Sequence, residues 1–183
     1  MALTITNKEN LKQIFDKVNR VYFFSGSNVP LADQTECLEF PVLEDGVSFD
    51  TGEAETSEVK LTDGTTWTSK SSQGESDISF QVSSVHNTIN DLLMEKKTSS
   101  AMSATFEGVT YTGNGYSLAP KKVKGAMLMT SEDKTSAIYL PNVELRASFN
   151  GEGGDDSTGY YNVAVTPLTD SSGAAFYPLI GSV

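Results

Sequence analysis

The chain has 183 residues and a formal net charge of -11 at pH 7. This length favours a single domain, and this charge argues against binding nucleic acid or an anionic membrane through basic side chains. One histidine and one cysteine exclude an internal disulfide and a multi-histidine metal site, and they leave little material for acid–base catalysis. The start of the chain lacks a signal-peptide pattern, and its apolar runs are far shorter than the roughly 18 residues that a membrane span needs. We therefore expect no contact with a membrane.

The first predicted element is an amphipathic helix over residues 7–19. Thr6, with Glu9 three residues later, has the form of a capping box. The apolar residues that follow recur at the spacing of one helical face. They are Leu11, Ile14, Phe15 and Val18.

The next segment is acidic and ends in a long polar arm over residues 50–76. Nine acidic and no basic side chains lie between Ala32 and Glu58. Inside the arm, Asp63-Gly64 is a strong hairpin signal, and Trp67 lies near the tip. Long polar segments on compact domains are often functional. An acidic run is commonly just a solvated surface, so both interpretations stay open at this point.

After the arm, the pattern predicts a strand that leads directly into a helix over residues 84–97. Apolar and polar residues alternate in the strand, between Ile78 and Val82. The helix has a serine at its start and lysines at its end, as capping and the helix dipole favour. Its expected packing stripe is Val85, Ile89, Leu92 and Leu93.

The remaining chain alternates in short segments separated by turns, with Pro141 indicating an edge or a bulge. The strands fall around residues 102–111, 123–128, 137–147, 161–165 and 174–180. No linker and no repeat interrupts them. The sequence therefore predicts one mainly β (α+β) domain, residues 1–183, built as an antiparallel β-barrel or sandwich with two helices.

Candidate catalytic residues are few. Cys37 and His86 are the one pair that could act as nucleophile and base. The acidic neighbours of Cys37 do not favour a reactive thiolate, and both residues are expected to be structural. The loop at residues 150–156 does not fit a calcium-binding pattern. We predict no enzyme, no cofactor and no metal.

The charge pattern indicates self-association. Acidic side chains dominate residues 32–58, whereas basic ones cluster at residues 8–20, 96–97 and 121–124. Separate patches of opposite sign on one small domain suit head-to-tail contacts between copies.

Two stretches, residues 47–97 and 160–179, carry a further pattern. The first has the order strand, polar arm, Asp-Gly hairpin, Gly74, amphipathic strand and amphipathic helix. In the second, Pro167-Leu168 and an Asp-x-x-Gly at Asp170 link the last two strands. Together they resemble the tail tube proteins of tailed phages, whose fold also occurs in type VI secretion and other contractile injection systems.

This resemblance implies a barrel flanked by a helix, in subunits that form stacked, hexameric rings around a hollow conduit for genome ejection. Residues 84–97 would be the flanking helix, and the helix at residues 7–19 departs from the simplest family member. The arm would reach a neighbouring subunit or ring. Its candidate contact residues are Asp50, Glu53, Glu55, Asp63, Gly64, Trp67 and Lys70.

The resemblance also implies partners and a place in the virion. The partners are further copies of the chain and other tail proteins (tape measure, tail terminator, baseplate or tip), with double-stranded DNA as transient cargo. Assembly would occur in the bacterial host cytoplasm. An acidic lumen would repel DNA phosphates, and the lumen candidates are Glu36, Glu39, Glu55 and Glu58.

An alternative is a β-sandwich that binds a ligand such as a carbohydrate, or that decorates a capsid or tail surface. It would display several aromatic side chains along one exposed face. The candidates are Trp67, Tyr111, Tyr116, Tyr160 and Tyr161. An enzyme would instead need a pocket with strongly perturbed carboxylates.

Overall fold

The computed structural model describes residue 15, residues 17–151 and residues 158–181. Within these residues the chain is mainly β, with one α-helix. The strands are β1 Val18–Phe24, β2 Leu38–Phe40, β3 Val42–Asp50, β4 Ala54–Lys60, β5 Thr66–Gln73, β6 Asp77–Val82, β7 Glu95–Phe106, β8 Val109–Ser117, β9 Val123–Ser131, β10 Ser136–Asn150, β11 Tyr160–Pro167 and β12 Tyr177–Ile180. Helix α1, Asn87–Leu93, lies between β6 and β7, and a 3-10 turn, Leu31–Asp33, lies between β1 and β2.

Eight strands form one antiparallel sheet that closes almost into a barrel. Its order is β2-β1-β9-β10-β11-β6-β3, with β12 pairing the first part of β10. The pairing of β9 with β10 shifts between Leu140 and Val143, which is the bulge that Pro141 indicated. The predicted mainly β, antiparallel, barrel-like domain is confirmed.

The core lies inside this barrel and follows the period of two along each strand. On β6, Ile78, Phe80 and Val82 point inward. The rings of Phe40 and Phe80 lie 5.1 Å apart at a tilted angle. Each fully buried aliphatic or aromatic side chain contributes about 1.5–3 kcal/mol relative to exposure, so burial of the inward-facing residues stabilises the barrel.

The predicted flanking helix exists but is shorter than expected. It covers Asn87–Leu93 rather than residues 84–97, and it packs Ile89 and Leu93 into the barrel core, with Leu92 at the margin. Val85 precedes the helix and is 64% exposed, so its predicted packing role is wrong. The helix ends where β7 begins, because the chain from residue 95 pairs with β8. No helix in the described residues is long and apolar enough to cross a membrane.

The predicted N-terminal helix over residues 7–19 is wrong at its end. Val18 and Asn19 begin strand β1, and neither Phe15 nor Lys17 is helical. The strand is favoured because Val21 and its inward-facing neighbours fill the core while their backbone pairs with β2 and β9. The other residues of the predicted helix lie outside the described part of the chain.

Candidate functional site: two projecting hairpins and an apolar groove

The predicted arm forms a hairpin of its own, β4–β5, which we call the acidic hairpin (residues 53–75). It shares no pairing with the barrel sheet, and every described side chain on its two strands is exposed. At the tip, Asp63 accepts hydrogen bonds from the Thr65 hydroxyl at 2.6 Å and the Thr65 amide at 2.9 Å. These bonds lower the pKa of Asp63. Gly64 has a φ of +84°, which the turn requires.

The base of the acidic hairpin is held closely by backbone contacts. The Gly74 amide donates to the Glu53 carbonyl at 2.9 Å. A Cβ on Gly74 would lie 2.5 Å from that same carbonyl oxygen, so only glycine fits there. The Gln73 side-chain amide donates to the carbonyls of Thr51 and Gly52 at 2.7 and 2.8 Å. These contacts fix where the hairpin leaves the barrel.

Trp67 gives the acidic hairpin an exposed apolar side chain in addition to its charges. Val59 pairs with Thr68 and Lys60 with Thr66, so Trp67 is the extra residue of a bulge in β5. It is 71% exposed. A large apolar ring in that position is typical of a residue that anchors a contact between proteins.

A second projecting hairpin, β7–β8, has one apolar and one polar face, and we call it the amphipathic hairpin (residues 95–117). Residues directly opposite each other in an antiparallel pair share a face. Phe106 pairs with Val109 and Ala104 with Tyr111, whereas Thr105 pairs with Thr110 on the other side. The apolar face therefore comprises Met102, Ala104, Phe106, Val109 and Tyr111.

The apolar face is uncovered by any described residue. Its four large side chains, those of Met102, Phe106, Val109 and Tyr111, are between 53% and 74% exposed. Together they present on the order of 500 Å² of largely apolar surface, and contiguous patches of this size commonly mark interaction sites. A two-stranded hairpin is also marginal by itself in water. This face is therefore a candidate contact surface.

Asp91 of α1 joins the base of the amphipathic hairpin to the barrel. Its carboxylate accepts hydrogen bonds from the Tyr116 hydroxyl at 2.5 Å and from Lys96 at 3.0 Å. Its backbone carbonyl accepts one from Lys121 at 2.7 Å. The Tyr116 hydroxyl, followed by Lys96, holds the pKa of Asp91 below its ordinary value. The hairpin thus projects from a fixed base.

The acidic hairpin and the surface at the base of the amphipathic hairpin differ in charge. The acidic hairpin has five acidic residues against Lys60 and Lys70. Next to the base of the amphipathic hairpin lies a patch with more cations than carboxylates, which we call the basic patch. Its cations are Lys96, Lys97, Lys121, Lys122, Lys124 and Arg146; its carboxylates are Asp91, Glu95 and Glu144. The strands of the acidic hairpin and the tip of the amphipathic hairpin, residues 101–113, are exposed, so neither covers the other there.

An apolar groove of about 700 Å³ lies on the outside of the barrel. It is formed by residues 28–32, by Tyr139 and Pro141 of β10, and by the segment from Asp170 to Leu179. Residues 28–32 are held in place because the Tyr139 hydroxyl donates to the Val29 carbonyl at 2.6 Å. The Gln34 side-chain amide adds a bond to the Gly26 carbonyl at 2.9 Å.

The rim carboxylate of this groove, Asp170, already has partners. Asp170 accepts hydrogen bonds from the Tyr177 hydroxyl at 2.6 Å and from the Ser172 hydroxyl at 2.7 Å. With the Ala174 and Ser172 amides, these donors lower the pKa of Asp170 to about 2. A carboxylate held ionised in this way caps a turn and is a poor general acid. The groove therefore offers an occupant mainly apolar contact, with Asn28 and Ser171 as its other polar side chains.

The structure does not bring the four lumen candidates together on one surface. Glu55 and Glu58 lie on opposite faces of the acidic hairpin, because they are three residues apart on one strand. Glu39 lies on β2, with its carboxylate 3.7 Å from Arg20, and Glu36 lies in the loop before it.

The other predicted contact residues of the arm are exposed. Glu53, Asp63 and Lys70 lie along the acidic hairpin, and Lys70 pairs with Ser57 across it. Asp50 ends β3 and accepts a hydrogen bond from the Gly52 amide at 2.8 Å.

The aromatic candidates of the ligand-binding alternative do not form one exposed face. Trp67 lies on the acidic hairpin and Tyr111 on the amphipathic hairpin. Tyr116 is half-buried against Asp91, Tyr160 is half-buried, and Tyr161 is buried in the core. The criterion of three exposed aromatic residues on one face is not met.

Cys37 and His86 have separate environments. Cys37 is exposed, and the His86 Nδ1 accepts a hydrogen bond from the Thr88 amide at 3.3 Å as the N-cap of α1. No hydrogen bond joins the two side chains in the described residues. The serine expected at the cap is thus replaced by this histidine.

Sequence reasoning missed the amphipathic hairpin as a projection. Its alternation of apolar residues with serine and threonine is the pattern of a strand with one buried face, which by itself favours a place in the barrel. The signal in the sequence is Gly108: Glu107 and Gly108 have φ values of 49° and 79°, as a tight two-residue hairpin requires.

No protein-family model and no curated protein matches this chain. Within the described residues, no group of three or more histidine, cysteine or acidic side chains could hold a metal ion. The two hairpins, the basic patch and the groove are the features on which we base a function.

Proposed function

We propose that the chain is a structural subunit of a phage or phage-derived tail tube that assembles into stacked, hexameric rings around a conduit for genome ejection. The observation that carries this proposal is the pair of hairpins that leave a nearly closed barrel with their side chains exposed. The resemblance of residues 47–97 and 160–179 to tail tube proteins supports the same assignment.

Exposed, ordered hairpins lower the stability of a subunit that works alone. Their side chains gain no burial, and ordering each residue costs about 1–2 kcal/mol in backbone entropy. Contacts with neighbouring copies would bury Trp67 and the apolar face of the amphipathic hairpin. Subunit assembly thus accounts for hairpins that the isolated barrel does not need.

Charge supports association between copies. The acidic hairpin of one subunit can lie beside the basic patch of the next, and such complementarity fixes the register and speeds association. The excess of 24 acidic over 13 basic residues leaves the assembled ring strongly negative. A negative lumen repels DNA phosphates, so the duplex passes as cargo without binding. Glu55 and Glu58 lie on opposite faces of the acidic hairpin, so one of them would face the lumen while the other faces the neighbouring subunit. Glu36 and Glu39 are the other lumen candidates.

The proposal also extends to location and to further partners. The tube would be part of a virion tail assembled in the host cytoplasm, ending on terminator and tip proteins and enclosing a tape measure. These partners follow from the tail-tube assignment.

Negative-stain electron microscopy of the purified protein, paired with its mass in solution, tests the proposal. We expect rings or tubes with a stained channel, and fewer of them as salt screens the charges. A monomer of 19.7 kDa at every concentration and salt would overturn it.

A further inference from the structure

The apolar face of the amphipathic hairpin and the apolar groove are two uncovered surfaces of the same chemistry on one chain. The hairpin presents Met102, Phe106, Val109 and Tyr111, all exposed. The groove is lined mainly by aliphatic and aromatic side chains, with polar ones at Asn28 and at residues 170–172. Since the hairpin is uncovered, it does not fill the groove of its own subunit.

We propose that the apolar face of this hairpin docks into the groove of a second copy of this chain. The proposal rests on the self-assembly proposed above and names the surfaces that meet. The groove volume of about 700 Å³ lies within the range of clefts that take up a drug-sized ligand. It can hold the Phe106 ring together with a neighbouring aliphatic side chain.

The chemistry of the groove favours an apolar occupant. Its rim carboxylate, Asp170, is fully engaged by Tyr177, Ser172 and nearby amides. The rest of the lining is mainly apolar, with Asn28 and Ser171 as its other polar side chains. The hairpin face is mainly apolar too, with the Tyr111 hydroxyl as its one polar side-chain group. The opposite face, with Thr105 and Thr110 joined at 3.0 Å, remains in solvent.

A second copy is the occupant because the chain carries both members of two complementary pairs. The first pair is the hairpin face and the groove. The second is the acidic hairpin and the basic patch, which differ in charge and which are not in contact within one subunit. A partner with both complementary surfaces is most simply this same chain.

The contact is head-to-tail rather than two-fold. If two hairpins packed face to face, the contact would close at a dimer and leave both grooves empty. A hairpin in a groove instead leaves one free hairpin and one free groove, so the contact repeats into a ring or filament. This repetition is what a tube subunit needs.

The test uses two variants, each with a matched control. The control for the hairpin lies on its opposite face, and the control for the groove lies a few residues along the chain. Phe106→Glu with Tyr111→Glu places charge on the apolar face, and Thr105→Glu with Thr110→Glu places the same charge on the polar face. Ala32→Glu charges the groove, and Thr35→Glu is its control. All these positions are exposed, so the barrel core is unaffected; circular dichroism confirms folding.

Sedimentation velocity across a concentration series then measures assembly. We expect the hairpin and groove variants to assemble only at a concentration on the order of 100-fold higher than the parent protein needs. Both controls assemble like the parent. A mixture of hairpin and groove variants retains one intact hairpin and one intact groove. It should therefore form a dimer of twice 19.7 kDa that does not extend.

Several outcomes would overturn the proposal. If the groove variant assembles normally while the hairpin variant does not, the hairpin docks elsewhere. If the parent forms rings and the hairpin variant does too, this contact is wrong although the tube proposal stands. If the parent never assembles, both fail. If native mass spectrometry finds a small molecule that Ala32→Glu removes without changing assembly, the groove is a ligand site instead.

Discussion

Replacement of Gly125 by alanine should destabilise the barrel strongly, because this position lies where two strands approach closely. Gly125 is in β9, which pairs with β1 on one side and β10 on the other. An added Cβ would lie 2.3 Å from the Phe24 carbonyl oxygen and 2.5 Å from the Phe23 ring. These separations are about 1 Å shorter than ordinary van der Waals contact.

The cost follows from what must move. A central strand cannot shift without disturbing its ladders to both neighbours, and Phe23 is buried in the core. Forcing an extra carbon into a packed core costs typically 1–3 kcal/mol, and more when the backbone must shift, so we expect a loss of about 3 kcal/mol. With a slope of about 2 kcal/mol per M, the urea midpoint should fall by about 1.5 M.

The matched control is Gly113→Ala on β8, where an added Cβ meets nothing within 4 Å. Its stability should stay unchanged or rise by less than about 1 kcal/mol. Unfolding is best followed by far-ultraviolet circular dichroism, since Trp67 lies on a projecting hairpin and does not report on the barrel. A midpoint fall of less than about 0.5 M for Gly125→Ala would refute the close approach of β1 and β9.

Three further predictions concern the hairpin base, the helix and the groove rim. Gly74→Ala forces the backbone at the base of the acidic hairpin apart. Limited proteolysis within residues 54–73 should therefore accelerate, while the amides of the barrel keep their protection from hydrogen exchange. An unchanged rate of cleavage would contradict this prediction. Tyr161→Phe removes the hydrogen bond of 2.7 Å to Asn90 and should lower the free energy of unfolding, measured in urea, by about 1–2 kcal/mol. A decrease smaller than a few tenths of a kcal/mol would exclude a role of this bond in holding α1. The Tyr177 hydroxyl, as the largest cause, lowers the pKa of Asp170 from 3.8 to about 2. The ionised carboxylate therefore stabilises the folded protein above about pH 4, and this stabilisation is lost as the pH falls towards 2. Asp170→Asn should therefore be less stable than the parent at pH 7, with a difference that narrows over that window, and a gap that stayed constant would contradict the assignment.

The elements that the sequence predicted well are those whose pattern has a single physical explanation. Ile78, Phe80 and Val82 alternate over a short segment, and such a segment is a strand wherever one face is buried. Asp63-Gly64 makes a turn through local hydrogen bonds that need no tertiary partner. In both cases, local chemistry and the fold agree.

The elements that were misplaced have patterns compatible with two structures. Val18 fits the apolar face of a helix and also the start of a strand, and the available edge of β9 decided for the strand. Similarly, Lys96 and Lys97 suit the end of a helix, but the chain there pairs with β8. Strand pairing is a long-range contact, so its outcome is not encoded within the segment itself.

The candidate surfaces divide in the same way. The acidic composition and the polar arm are visible in the sequence, since charge and turn residues do not depend on the fold. That the apolar face of β7–β8 is exposed rather than buried is a tertiary fact, because alternation marks two different faces without saying which one the barrel covers. The groove is tertiary as well, because residues 28–32, β10 and the segment after Asp170 are far apart in the chain. Pairing of β9 with β1 and β10, pairing of β12 with β10 and the hydrogen bond from Tyr139 to Val29 bring them together.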